Sequence, residues 1–210
     1  MNIKVLIFAT GDITYKDHSL KILNNYFSRQ ENMELVVVED ELSFNTKKAH
    51  ASWLKLISHN YVDENDFVLC WDLDLLPRDK NVVFDTSLLS EKHINLCFDT
   101  SVILGHPRFN NNFHFNGGLI GIPKCMRSFT EEVYNLYAPG TYPSYEQYYL
   151  NDHLAHNKKD VCVLPNSYNT LQHDGPLFEN ADFQHYTWQC LFNNTRDELI
   201  KKHYERYFKD

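Results

Sequence analysis

An uninterrupted apolar stretch that ends in two acidic residues constrains the fold of this chain more than any other feature. Phe67 to Trp71 are five apolar residues in a row, and Asp72, Leu73 and Asp74 follow directly. A strand with one exposed face alternates apolar and polar residues, whereas a strand covered on both faces reads as a short continuous apolar run. The stretch therefore predicts a buried strand in a layered α/β sheet with helices on both faces.

Strand and helix patterns alternate along the rest of the 210 residues. Further strands are expected at 4–9, 35–38, 94–98, 113–122 and 161–164, where apolar residues concentrate. Helices are expected between the strands, and their candidate cap residues are Asp17 or Ser19, Thr46, Ser128, Ser144 and Thr195. This order predicts an α/β fold with a mostly parallel central sheet flanked by helices. We expect a single domain over residues 1–210, either a whole small protein or one module of a longer chain.

Composition narrows the range of partners. The chain carries 20 Lys and Arg residues against 28 Asp and Glu residues, which gives a net charge of −8. Because the sequence also has no basic run, we expect no nucleic-acid partner, and because it has no long apolar run we expect no membrane insertion. The five cysteines are widely spaced and odd in number, which favours reduced thiols and a cytoplasmic location.

The acidic pair after the buried strand is the strongest candidate for chemistry. Asp72 and Asp74 are two residues apart, so they would point the same way as the chain leaves the sheet. Two carboxylates this close repel each other unless a cation sits between them, and carboxylate oxygens prefer hard cations such as Mg²⁺ or Mn²⁺. Ligands of open α/β sheets bind at this end of the strands. The alternative is a solvated acidic turn without a ligand.

Three further segments carry polar residues in positions that suit a site. Asn116, Gly117 and Gly118 interrupt an apolar strand, which indicates either room for a ligand against the backbone or a plain bulge. Glu146 and Gln147 open a helix, where they either act on a substrate or only cap the helix. A late histidine could complete a metal site, and His185 and His173 are the two candidates.

Taken together, these segments resemble the GT-A glycosyltransferases, which have a Rossmann-like fold and move a sugar from a nucleotide-sugar donor. The resemblance covers most of the chain in the expected order, from an early nucleotide-binding strand to the D-x-D motif, the Asn-Gly-Gly strand, the acid-Gln helix and the late histidine. Lys48, Glu146-Gln147 and the Gln189-Cys190 pair after His185 are similar to retaining α-galactosyl- and xylosyltransferases of plants and fungi. The compact size and the Trp71-Asp72-Leu73-Asp74 segment are also similar to a chlorovirus glycosyltransferase domain.

The resemblance implies a role for each candidate residue. It implies that a Mn²⁺ or Mg²⁺ cofactor on the donor pyrophosphate is held by Asp72, Asp74 and His185. It implies that the donor nucleotide and its sugar contact Thr10, Gly11, Asp12, Lys48, Asp72, Asn116, Gly117 and Gly118. It implies catalytic roles near the anomeric carbon for Glu146 and Gln147, with Asp152 or Glu146 as the base if the reaction inverts configuration. One departure is that Tyr145-Glu146 stands where those relatives often carry an Asp pair.

The expected function is therefore a metal-dependent transfer of a hexose or 6-deoxyhexose, of the glucose or rhamnose type, from a UDP-sugar to a glycan acceptor, with retention of configuration. The viral resemblance would place the reaction in the cytoplasm of a host cell. One alternative is a haloacid-dehalogenase-like phosphatase, which also uses D-x-D after an apolar strand. A nucleotidyltransferase would need a Gly-rich basic loop that the segment from Ala9 to Lys16 lacks. A sugar-binding module without catalysis is the remaining alternative, because the many aromatic residues suit sugar stacking as well as a core.

Overall fold

A six-stranded mixed sheet forms the centre of the computed structural model, which describes residues 1–10, 13–39, 51–99, 114–137, 146–187 and 196–209. The strands of this sheet are β1 (Ile3–Phe8), β2 (Met33–Val38), β3 (Phe67–Trp71), β5 (Ile94–Phe98), β6 (Phe115–Ile122) and β7 (Val161–Val163). The strands of a smaller sheet are β4 (Leu75–Pro77), β8 (Thr170–Leu171) and β9 (Phe183–His185). The α-helices are α1 (Lys16–Phe27), α2 (Arg127–Tyr137), α3 (Glu146–His156), α4 (Pro176–Asn180) and α5 (Arg196–Tyr207).

The large sheet has the order β2-β1-β3-β6-β5-β7, and β6 runs against the direction of the other strands. β1 pairs parallel with β2 and β3, and β5 pairs parallel with β7. The α/β fold with a mostly parallel sheet is therefore confirmed. Because β1 and β3 are parallel, Thr10 and Asp72 leave the sheet on the same side, at the edge formed by the carboxyl ends of these strands. The antiparallel strand β6 starts at that edge, and Asn116 is its second residue.

Alternate residues of the central strands pack into two separate apolar layers. In β3, Phe67, Leu69 and Trp71 belong to one buried cluster, and Val68 and Cys70 belong to the other. The first cluster includes side chains of α1 and α5, and the second includes side chains of α2, α3 and the 3-10 segment Ala51–Tyr61. Because both faces of β3 are covered, each of its side chains is apolar, as the uninterrupted stretch predicted.

Several predicted helix starts differ from the structure. Asp17 and Ser19 lie inside α1, whose first turn has no side-chain cap, so neither residue is the predicted cap. Ser128 also lies inside its helix, because a 3-10 turn at Lys124–Met126 leads directly into α2 and supplies the first hydrogen-bonded turn. The residues after Ala51 form a 3-10 segment with a break at Ile57 rather than the predicted α-helix. The candidate caps at 46, 144 and 195 lie outside the described residues.

A second, three-stranded sheet with the order β4-β9-β8 lies beside the large one. Helix α5 is attached to it through His203, whose Nε2 lies 2.9 Å from the Pro77 carbonyl oxygen and whose Nδ1 lies 2.8 Å from the Tyr186 hydroxyl. Burial lowers the pKa of His203 to about 4, so the ring is neutral at pH 7 and joins the two elements by hydrogen bonds without a charge.

Two expectations from composition concern the described part of the chain. Cys70, Cys97, Cys125 and Cys162 are free thiols, as their spacing predicted, and Cys190 lies outside the described residues. None of the described helices combines the length and the apolar character that crossing a bilayer requires.

Candidate active site

The D-x-D motif, Asp72-Leu73-Asp74, forms a tight turn at the end of β3, which we call the acidic turn. The Asp72 amide donates to the Gly118 carbonyl oxygen at 2.9 Å, which continues the pairing of β3 with β6 by one residue. The Leu75 amide donates to the Asp72 carbonyl oxygen at 3.0 Å, which closes the turn around Asp74. Both carboxylates thus stand at the edge of the sheet where β1 and β3 end, as the sequence predicted from the position of the motif.

His185 reaches this turn because the small sheet folds back on it. β4 starts directly after Asp74 and pairs antiparallel with β9, so that Leu75 stands opposite His185. The Tyr186 amide donates to the Asp74 carbonyl oxygen at 2.9 Å. Nε2 of His185 consequently lies 3.3 Å from Oδ1 of Asp74 and 3.6 Å from Oδ2 of Asp72.

The three side chains fit a divalent cation. Ligand atoms of Asp72, Asp74 and His185 all lie within 4.8 Å of one another. Around an octahedral cation such as Mg²⁺, each ligand atom is about 2.1 Å from the metal, which places neighbouring ligand atoms roughly 3 Å apart. The separations of 3.3 and 3.6 Å from the imidazole nitrogen are close to this spacing. Two carboxylate oxygens and one imidazole nitrogen also form a donor set that Mn²⁺ accepts.

A chain of amide side chains fixes the orientation of His185. Nδ1 of His185 lies 2.9 Å from Oδ1 of Asn169, so Nδ1 carries the proton and Nε2 keeps its lone pair for a metal. Asn169 in turn donates to Oδ1 of Asn116 at 2.9 Å, and that oxygen also accepts from the Gly118 amide at 2.8 Å. Asn116 was predicted to contact the transferred sugar. In the structure it is buried, and it holds Asn169, which in turn holds the imidazole of His185. Sequence reasoning missed Asn169, and no local pattern marks it.

Lys55 joins the acidic turn to helix α3, and sequence reasoning also missed it. Its Nζ lies 2.5 Å from Oδ1 of Asp72, 3.2 Å from Oε1 of Glu146 and 2.7 Å from the Gly117 carbonyl oxygen. Burial alone would lower the pKa of Lys55, but the carboxylates of Asp72 and Glu146 outweigh burial and raise it, so the ammonium stays charged. A lysine inside the apolar stretch from Trp53 to Ile57 was the available signal. The predicted Lys48 lies outside the described residues.

Gly117 and Gly118 allow two side chains to approach the backbone of β6 closely. A Cβ on Gly117 would lie 2.6 Å from Oε1 of Glu146, and a Cβ on Gly118 would lie 2.6 Å from Cε1 of His185. Real Cβ contacts are not that short, so each glycine is needed for the position of its neighbour. The space beside the two glycines, which the sequence analysis considered as room for a ligand, is thus occupied in part by the side chains of Glu146 and His185.

Helix α3 is attached to the start of β6 by side-chain amides. Oδ1 of Asn151 accepts from the Phe115 amide at 2.8 Å, and its Nδ2 donates to the Phe115 carbonyl oxygen at 2.9 Å, as a neighbouring strand would do. Oε1 of Gln147 accepts from the Gly117 amide at 3.0 Å. The structure therefore places Glu146 and Gln147 beside Gly117, next to the acidic turn.

Arg196, the first residue of α5, contacts the carboxylate of Asp74. Its Nη1 lies 2.9 Å from Oδ2 of Asp74 and 2.7 Å from the Tyr15 hydroxyl, and its guanidinium carbon lies 5.0 Å from the centre of the Tyr15 ring. Burial by itself would raise the pKa of Asp74, but the contact with His185 and the charge of Arg196 hold that pKa below its usual range. Asp74 is therefore an ionised carboxylate although it is buried.

Some predicted site residues do not join this cluster. Asp152 lies six residues after Glu146 on α3, on another side of the helix, where its half-exposed carboxylate lies 3.3 Å from Nδ1 of His156. Thr10 follows β1 at the correct edge of the sheet and is partly buried. Gly11 and Asp12 lie outside the described residues, and the structure does not describe the side chain of His173.

No protein-family model matches the chain, and no curated protein matches its sequence. Solved structures do match its fold. A glycosyltransferase involved in the glycosylation of the major capsid of PBCV-1 superposes with a TM-score of 0.68 at 17% identity, over 97% of this chain and 98% of that one. The glycosyltransferase GlyE of Streptococcus pneumoniae superposes with a TM-score of 0.65 at 16% identity, over 99% of this chain and 60% of that one.

A mutant of Drosophila β1,4-galactosyltransferase 7, in complex with manganese, UDP-Gal and xylobiose, superposes with a TM-score of 0.52 at 14% identity, over 100% of this chain and 82% of that one. These similarities extend over almost the whole chain. The chain has the GT-A fold of the glycosyltransferases.

Proposed function

We propose that residues 1–210 form a single catalytic domain that transfers a hexose or 6-deoxyhexose, of the glucose or rhamnose type, from a UDP-sugar to a glycan acceptor. The observation that carries the proposal is the convergence of Asp72, Asp74 and His185, within 4.8 Å, at the ligand-binding edge of a GT-A sheet. The reaction would take place in the cytoplasm, of a host cell if the chain is viral.

The proposed chemistry uses a divalent cation, Mn²⁺ or Mg²⁺, which when bound offsets the negative charge that develops on the departing nucleotide diphosphate. Oxygens of Asp72 and Asp74 and Nε2 of His185 would hold it. The residues around them keep these atoms in place: Asn169 fixes the imidazole, and Lys55 holds the carboxylate of Asp72. Because these supports are formed by the folded chain itself, the site is organised before a donor binds.

The donor assignment has two supports. Thr10 follows β1 at the edge of the sheet where Asp72 follows β3, and the Tyr15 hydroxyl contacts Arg196, which pairs with Asp74. A nucleotide would extend from its diphosphate along this edge. The Drosophila galactosyltransferase with the same fold is in complex with manganese and UDP-Gal. We carry uridine over to this chain as part of the proposal.

Retention of configuration is the proposed stereochemical course, because the two candidate bases for inversion are poorly suited to that role. The Glu146 carboxylate is buried, away from an incoming acceptor hydroxyl, and its Oε1 already accepts from the Lys55 ammonium at 3.2 Å. Asp152 lies on another side of α3 beside His156. Gln147 stays next to Gly117 through one lone pair of its amide oxygen, and the other is available to stabilise positive charge on the sugar.

Thermal stability in the presence of UDP and Mn²⁺ tests the proposal before any acceptor is known. A ligand that binds only the native state at a hundredfold excess over Kd adds about 2.7 kcal/mol. Each kcal/mol shifts Tm by roughly 2–4 °C in a domain of this size, so we expect a rise of several degrees. EDTA should abolish the rise, and UDP alone should give much less because its diphosphate would face two carboxylates.

Asp72→Asn and Asp74→Asn are the matched variants, since each removes one charge and keeps the shape of the side chain. Both should lose the Mn²⁺-dependent rise in Tm and the release of UDP from a UDP-sugar. Anomeric analysis of the product by NMR then tests retention. A phosphatase would show no preference for uridine, and a sugar-binding module would release no UDP. A melting curve that does not respond to UDP and Mn²⁺ together would contradict the proposal.

A further inference from the structure

Each carboxylate of the acidic turn directs one oxygen toward His185 and the other toward a fixed cation of the chain. Asp72 places Oδ2 3.6 Å from Nε2 of His185 and Oδ1 2.5 Å from Nζ of Lys55. Asp74 places Oδ1 3.3 Å from the same nitrogen and Oδ2 2.9 Å from Nη1 of Arg196. The inward oxygens are those that would bind a metal, and the outward oxygens are already paired.

Arg196 is held in place independently of Asp74. Its Nη1 donates to the Tyr15 hydroxyl at 2.7 Å, and its guanidinium lies over the Tyr15 ring. The side chain is 21% exposed, so part of it faces solvent. An arginine keeps its charge at any physiological pH, so this positive charge is permanent.

Lys55 and Arg196 offset most of the negative charge of the carboxylates around the proposed metal position. Asp72, Asp74 and Glu146 contribute three negative charges, and Lys55 and Arg196 contribute two positive ones. A divalent cation bound alone would therefore leave the cluster with an excess of positive charge. A nucleotide diphosphate would remove that excess.

We propose that Arg196 is a built-in counter-charge that weakens the binding of a free divalent cation and strengthens the binding of the cation together with a nucleoside diphosphate. The inference rests on the proposed function and adds an order to it, because the metal and the diphosphate would bind as one unit. Arg196 would contact Asp74 from outside the metal position and face the diphosphate with its exposed part.

The proposal predicts effects of opposite sign when the charge is removed. Arg196→Gln keeps a hydrogen-bond donor for Asp74 but loses the charge. Without nucleotide, Mn²⁺ should bind this variant about tenfold more tightly, the change expected when a unit positive charge is removed roughly 6 Å from a divalent cation even under full water screening. The factor by which UDP increases the affinity for Mn²⁺ should fall at least as much.

Titration of Mn²⁺ by electron paramagnetic resonance, with and without UDP at fixed ionic strength, measures both quantities without requiring turnover. Arg196→Lys keeps the charge and should retain most of the coupling. Arg206→Gln is the control on the same helix, since Arg206 is exposed and contacts the ring of Tyr207 instead of a carboxylate. It should change neither affinity.

The outcomes separate the inference from the proposed function. If wild-type protein binds no Mn²⁺ even with UDP, the metal-dependent function fails. If wild-type protein binds Mn²⁺ and Arg196→Gln leaves the nucleotide-free affinity unchanged or weaker, only the role of Arg196 is overturned. A purely structural role would lower both affinities together with Tm, and that result would also overturn the inference.

Discussion

Replacing Lys55 by Met should destabilise the protein far more than removal of a surface ion pair. Lys55 is almost fully buried, and its ammonium contacts Asp72 at 2.5 Å, Glu146 at 3.2 Å and the Gly117 carbonyl oxygen at 2.7 Å. Methionine has a similar volume, so the substitution removes the charge and leaves little cavity. Glu146 would keep a buried negative charge, and its Oε2 already lacks a hydrogen-bond partner among the described residues.

The magnitude follows from the burial of the partner. Removal of one member of a buried ion pair costs about 3–5 kcal/mol, because the remaining charge stays desolvated and unpaired. In a domain of this size that cost lowers Tm by about 6–20 °C. An exposed ion pair contributes only about 0.2–1 kcal/mol, since water and salt screen it.

Lys4 offers a matched control. Its Nζ lies 2.5 Å from Oε2 of Glu34, the same distance as the Lys55–Asp72 contact, but the Glu34 side chain is 63% exposed. Urea unfolding of Lys4→Met and Lys55→Met should therefore give clearly different losses. Lys55→Met combined with Glu146→Gln should recover part of the loss, because the unpaired charge is gone. Equal losses for the two lysine variants would refute this reasoning.

Three further predictions concern the pH dependence of stability, the close packing of glycines in β6 and the support of the proposed metal ligands. The pKa of His203 falls from 6.5 to about 4 on folding, so the unfolded chain binds more protons between these pH values. Stability should then decrease by up to about 3 kcal/mol from pH 7 to pH 4, and urea unfolding of His203→Gln should show a smaller decrease. Gly118→Ala places a methyl group 2.6 Å from His185 and should abolish the rise in Tm with UDP and Mn²⁺, whereas Gly121→Ala, with a β5 side chain at 2.8 Å, should lower stability without abolishing that rise. Asn169→Ala should weaken Mn²⁺ binding about 10- to 100-fold in a calorimetric titration, because the imidazole loses the contact that fixes its tautomer; an unchanged affinity would contradict the role given to this amide.

The sequence predicted the large sheet well because its signals are local. Phe67–Trp71 and Ile94–Phe98 were predicted with the bounds that the structure has, since the first is a continuous apolar run and the second is interrupted only by Asn95. The small sheet was not predicted. β4, β8 and β9 contain three, two and three residues, and runs this short carry no measurable alternation.

The grouping of Asp72, Asp74 and His185 was also predictable, but the residues that support it were not. Asp72 and Asp74 are adjacent to a strong strand signal, and His185 came from the resemblance to a family. Lys55 and Asn169 acquire their roles only through partners distant in sequence, such as Glu146 and Asn116. The hydrogen bonds of a side chain depend on which segments the fold brings together, and a local pattern does not contain that information.

The return of β9 to the acidic turn has a consequence for protein synthesis. Asp72 and Asp74 leave the ribosome long before His185 and Arg196, because translation proceeds from the N-terminus. A nascent chain that ends before β9 holds two carboxylates without the imidazole, and a divalent ion bound by so few ligands exchanges rapidly with water. Under the proposed function, stable retention of the ion would begin only when β9 has paired with β4. Metal retention would thus report that β9 has reached the acidic turn in a newly made chain.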